Sequence, residues 1–152
     1  MSESISTDLV LSKPNNKSKP VVTHEIDLIY KGIKFPVIRA SLQYSIIRNL
    51  ITLNDKEFTL SMPEQIKNPE NTIRHVIVFL NYAFLNEQPK YPLSPNYLIY
   101  INTIWPFYSD IFWFAIFYDI YNLQNLIMDF SKIYNRYPIR YDTRTRTYNG
   151  LM

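Results

Sequence analysis

EIDLIYKGIKFPVIRASLQYSIIRNLI, residues 25–51, changes its hydrophobic period halfway along, and that change decides the fold class. Ile26, Leu28 and Tyr30 alternate with Glu25, Asp27 and Ile29, and after Lys31-Gly32 come Phe35 and Val37, alternating with Lys34 and Pro36. Period-two alternation places one set of side chains on one face of a strand, and Gly between two such runs permits a tight turn. The pattern therefore predicts a two-stranded hairpin turning at Gly32. Pro36 has no amide to donate, which assigns its strand to an edge. From Ala40 onward Leu42, Ile46, Ile47, Leu50 and Ile51 recur at three-to-four spacing, with Arg39, Gln43, Arg48 and Asn49 as polar partners. That is the helical period, and it predicts one or two short helices.

Downstream, Phe58 and Leu60 alternate with Glu57, Thr59 and Ser61 to give a brief third strand ended by Pro63. Asn68-Pro69-Glu70 has the form of a helix start, with a cap residue, a proline in the first turn and an acid at the positive end of the dipole. Ile73, Val76, Ile77, Leu80, Ala83 and Phe84 then form one apolar stripe. Pro89, Pro92 and Pro95 make residues 87–95 an extended loop. Helices follow over 97–105, interrupted by Pro106, then over about 110–121 and about 122–135. The whole reads as an α+β domain over 21–137, preceded by a polar lead-in, 1–20, with too little apolar surface to order itself, and followed by a basic tail, 138–152.

Twelve of the thirty-nine residues from Tyr91 to Asp129 are Phe, Tyr or Trp, and none is Lys, Arg, Glu or His. Such a segment is core, a surface for another protein, or a membrane element. Residues 97–121 have the length for a span, but Asn102, Pro106, Ser109, Asp110 and Asp119 interrupt it, and one central Asp costs about 2.5–3.5 kcal/mol on insertion. A membrane span is not expected, while a peripheral contact stays open because Tyr and Trp favour the interface.

Cysteine is absent, which excludes disulfides and thiolate metal sites. No apolar run of signal-peptide length occurs in 1–20, so the expected location is intracellular, in cytoplasm or nucleus, of a host cell if the protein is viral. Twenty Ile, fourteen Asn and thirteen Tyr against three Ala point to an A/T-rich genome, such as that of a giant virus or a parasite, and make Asn and Tyr weak evidence for sites. The formal charge of +3 divides into +1 for 1–20, −2 for 21–130 (eight basic, ten acidic) and +4 for 131–152 (five basic, one acidic). The body thus gives nucleic-acid binding no support. In the tail, Arg136, Arg140, Arg144 and Arg146, interleaved with Tyr137, Tyr141 and Tyr148, have the elements of a single-strand binder, and the alternation of Thr143, Thr145 and Thr147 with Arg144 and Arg146 allows an edge strand, but a solvated, disordered tail is the reading adopted.

Catalysis finds little footing. His24 and His75 are the only histidines, and neither has an acid paired with it by spacing. With only Gly32 and Gly150 there is no phosphate loop or nucleophile elbow. Asp110, Asp119 and Asp129, nine and ten residues apart, read as polar punctuation on apolar helices. No enzyme activity, cofactor or metal is expected.

The order of hairpin, short helices, third strand, long helix, proline loop and terminal helix pair resembles the BTB/POZ superfamily, and within it the Skp-type and elongin C adaptors. Residues 26–37 are similar to the family's opening hairpin, SLQYSIIRNLI (41–51) to its first helix pair, and TIRHVIVFLNY (72–82) to its long helix; the likeness covers about 25–135. In the Skp-like frame YDIYN (118–122) and LIMD (126–129) match the last helix pair. The competing elongin-like frame sets YPLSP (91–95) and PFYSD (106–110) against that family's motifs and leaves more of the chain unexplained. The resemblance implies a small three-stranded sheet packed with five to six helices, and a non-catalytic adaptor that bridges a cullin scaffold and a substrate receptor in a ubiquitin ligase. It makes Asp119, Ile120, Tyr121 and Asn122 the cullin-facing residues. Phe117 and Tyr118 stand where those adaptors carry small residues, and nothing after Pro138 matches the helices that hold F-box proteins. A self-associating, homo-oligomeric BTB-like scaffold, or a viral decoy of host ligase components, is the rival reading.

Overall fold

The computed structural model of the chain describes residues 24–86, 94–134 and 138–150. The expected lead-in and most of the proline loop lie outside them, as does the side chain of Phe84.

The period-two segment forms β1 (Glu25–Tyr30) and β2 (Ile33–Ile38), paired antiparallel with Ile26 opposite Val37 and Leu28 opposite Phe35. These four side chains share one face and are all buried. Lys31 and Gly32 both take positive φ, 50° and 79°, as the twist-matched two-residue turn requires. The third strand, β3 (Glu57–Thr59), runs parallel to β1 on its other side, so the sheet order is β2-β1-β3 and Pro36 lies on an edge strand.

The helical-period segment gives the two short helices expected, in 3-10 form. It forms two 3-10 turns, Arg39–Tyr44 and Ile46–Leu50, broken at Ser45, whose backbone is extended and whose hydroxyl accepts from Ile47 N. The α-helices among the described residues therefore number four, fewer than the five to six expected: α1 (Pro69–Asn86), α2 (Pro95–Ile104), α3 (Tyr108–Phe117) and α4 (Tyr121–Tyr134).

α1 buries Ile73, Val76, Ile77, Leu80 and Ala83, as its stripe predicts, together with Thr72, Phe79 and Tyr82. It packs on β2, the first 3-10 turn and α3, and Asn81 Oδ1 accepts from Ile38 N at 3.2 Å. A buried carboxylate holds its start: Asp110 on α3 accepts from Lys67 N at 3.1 Å and Asn68 N at 2.9 Å. Asp110 is thus a tether between helices, not punctuation.

The aromatic segment is largely core. Tyr97, Tyr100, Tyr108, Phe112, Phe114 and Tyr118 are buried, and the rings of Tyr97 and Tyr100 meet Phe79 of α1. Among the described residues no helix is long and apolar enough to cross a membrane.

The tail differs from the disordered segment expected. Arg140–Asp142 (β4) and Thr147–Asn149 (β5) form an antiparallel hairpin anchored by Ile139, which is 2% exposed and whose amide donates to Ser131 Oγ at 2.9 Å. Tyr148 meets Phe112 edge to face, with ring centroids 5.1 Å apart.

Candidate protein-interaction site

The junction between α3 and α4 is a helix stop followed at once by a helix start. Asp119 N donates to Ile116 O at 3.2 Å and Ile120 N to Ala115 O at 2.8 Å, the paired bonds of a Schellman motif, with Asp119 in the left-handed region at φ 54°. The residue after the left-handed one normally makes an apolar contact back to the helix. Ile120 occupies that place and is fully buried, 0% exposed.

Tyr118 couples this turn to the rest of the fold. Its carbonyl accepts from Ser45 Oγ at 2.8 Å and Ile46 N at 3.0 Å, which presses the second 3-10 turn against the junction. Its ring packs on Phe114 and Phe58, and its hydroxyl bonds both the amide and the carbonyl of Ser61 just past β3. Of the two bulky residues at 117–118, Tyr118 is therefore spent inside the fold, whereas Phe117 is 48% exposed. Burial pushes the phenol's pKa up, against a smaller opposing effect of the bond from Ser61.

Between the 3-10 turns and the junction runs a groove of about 360 Å³, with Gln43, Tyr44 and Ile46 on one wall and Asp119, Tyr121 and Asn122 on the other. Three of the four anticipated residues thus meet in one groove. The fourth, Ile120, is corrected: it lies in the core behind the wall and offers no surface to a partner. Tyr121 is 69% exposed at the groove and Ile46 40%. Ile46 and Arg48, which share the groove, went unnoticed in the sequence, although Ile46 belongs to a helical pattern that buries Ile47 and cannot bury both neighbours.

A larger groove of about 600 Å³ lies at the sheet end, lined in part by His24, Glu25, Asp27 and Lys56. Its Arg39 is already engaged, donating to Thr52 O at 3.2 Å and to Asp55 O. His75 lies elsewhere, stacked on Phe107 with ring centroids 5.8 Å apart, and burial lowers its pKa. Among the described residues no three potential ligands gather as a metal site would require. No family model matches the chain, and no curated protein or solved structure matches it.

Proposed function

We propose that the chain is a non-catalytic BTB/POZ-type adaptor of the Skp-like kind, bridging a cullin scaffold and a substrate receptor in a ubiquitin ligase and so serving ubiquitin-dependent protein catabolism. The reading rests on the resemblance of residues 25–135. It is supported by the order of elements: hairpin, short helical turns, third strand, long helix, closing helix pair. The observation that carries it is the exposure of Tyr121, 69%, on a groove shared with Asp119 and Asn122. A tyrosine left in water beside a groove is the side chain that most often anchors a protein interface, because its ring buries large area with few rotamers lost.

The test uses the purified full chain and a panel of cullins. Tyr121→Lys should weaken binding about thirtyfold or more, the size of an interface hot spot. Unaltered binding of that variant would remove the groove from the interface. A wild-type chain that binds no cullin and sediments as a stable homodimer would replace the adaptor with the self-associating scaffold.

A further inference from the structure

The ordering of the tail changes what its arginines can do. In the β4–β5 hairpin, Arg140 pairs with Asn149, Tyr141 with Tyr148 and Asp142 with Thr147. Side chains of one pair share a face, and neighbouring pairs face oppositely. The Tyr141/Tyr148 pair contains the ring that meets Phe112, while Arg140 and Thr147 belong to the opposite face. Arg140, Arg144 and Arg146 are all exposed, as are Thr143, Thr145 and Thr147. The one acid of the hairpin, Asp142, is turned onto its own loop, accepting from Arg144 N at 2.9 Å and lying 3.7 Å from Arg144 Nε. Among the described residues Arg140 and Arg146 meet no carboxylate.

We propose that the β4–β5 hairpin is a docking surface for single-stranded nucleic acid that wraps over its edge, with Arg140, Arg144 and Arg146 on the phosphates and Tyr141, on the face opposite Arg140, as the stacking ring. Charge complementarity is the first argument. Residues 131–152 carry +4 in a chain of +3, so the densest excess of cations for an anionic polymer lies there. Arginine, not lysine, supplies four of the five cations, and the guanidinium fork matches two phosphate oxygens at once. Threonine hydroxyls between the arginines add the neutral donors that phosphate contacts use. Tyr141 is 47% exposed, its ring tilted 59° to that of Tyr148 with centroids 5.0 Å apart, so Tyr148 holds it at one side while an open face can take a base. An acidic peptide would satisfy the arginines but gains nothing from that face.

The hairpin is also a rigid frame. Ile139 in the core, the Tyr148–Phe112 contact and the bond from Tyr108 Oη to Gly150 O at 3.4 Å hold it to α3 and α4, so little ordering entropy is lost on binding. Burial raises the pKa of Tyr148, with smaller contributions from Tyr141 and Tyr121.

Fluorescence anisotropy of the full chain with a labelled oligouridylate of about a dozen nucleotides, within the site sizes of single-strand binders, tests the proposal. Binding should weaken with salt at a log–log slope of about −2, for three phosphates at about −0.7 each. The Arg140→Gln/Arg144→Gln/Arg146→Gln variant should lose about tenfold or more. Tyr141→Thr should lose about fivefold or more through stacking alone. Circular dichroism of both variants should match the wild type, which separates lost docking from lost fold. Oligoglutamate binding as tightly as the oligonucleotide, capture by phosphatidylserine vesicles without oligonucleotide binding, or an unchanged affinity in the folded triple variant would each overturn it.

Discussion

The phenolic oxygen of Tyr118 accepts from Ser61 N at 2.8 Å and donates to Ser61 O at 3.0 Å. One side chain from the α3–α4 junction thereby satisfies the backbone just beyond β3, as a further strand residue would, and closes part of an exposed sheet edge. Tyr118→Phe keeps the ring against Phe114 and removes both bonds. The expected loss is about 1–3 kcal/mol, the cost of leaving such groups unpaired, read from the midpoint of urea unfolding. An unshifted midpoint would show that the ring alone holds the junction.

Ile120 and Tyr121 are adjacent in sequence and opposite in role. Lysine at 120 buries an ammonium with no partner, so Ile120→Lys should cost more than about 4 kcal/mol and yield little folded protein. Tyr121→Lys, at a position 69% exposed, should stay within about 0.5 kcal/mol of wild type. Thermal unfolding of the two purified variants checks the pair, and equal stabilities would contradict the burial of Ile120.

Asp110 joins α3 to the start of α1 through two backbone amides. Asp110→Ala should destabilise by about 3 kcal/mol, since bonds to a charged acceptor are the stronger class and both donors lose it. Hydrogen exchange at Lys67 and Asn68 should accelerate selectively. Protection retained at both amides would refute the tether.

Asp119 holds φ 54°, where a side chain is strained and glycine is not. Asp119→Gly should therefore be neutral or stabilise by up to about 1 kcal/mol, while removing a carboxylate from the groove wall. A marked loss of stability in this variant would mean that the carboxylate itself supports the turn.

Tyr100 is buried, donates to His75 O at 3.2 Å, and has its pKa raised first by burial and then by the neighbouring Tyr97. The unfolded phenol ionises near 10.0, the folded one higher, so above pH 10 the unfolded chain releases a proton that the folded chain keeps. The contribution to stability is complete below pH 10 and falls as pH rises, by up to about 1.4 kcal/mol per pH unit for this group. Alkaline unfolding followed by phenolate absorbance should show the phenol ionising together with loss of helix. A Tyr100→Phe chain should show a shallower pH dependence above 10, and an equal slope would exclude Tyr100 as a source.

Much of the sheet and of α1 was legible because their signals are local. The Lys31-Gly32 turn, the Pro36 edge and the stripe of α1 each depend on residues within one turn or one strand pair. The candidate groove was legible only in part. Residues of YDIYN line the groove, but whether a residue there faces inward depends on the Schellman geometry at Asp119, which a sequence lacking glycine at that position does not announce. The tail read only as a possible edge strand against a disordered segment, because three-residue strands carry too little alternation and their stability comes from Phe112, Ser131 and Tyr108, all distant in sequence.

The sequence by itself determined an α+β chain: periods of two and of three to four, read over neighbouring residues, specify which backbone each segment can adopt. It also determined that the cations gather after residue 130. Only the tertiary structure decided that Tyr118 belongs to the core, that Ile120 lies behind the groove while Tyr121 stands in it, and that the arginines ride on an anchored hairpin. The reason is physical. Burial and hydrogen-bond partnership are properties of surfaces brought together from distant parts of the chain, and no local pattern encodes which surface will arrive.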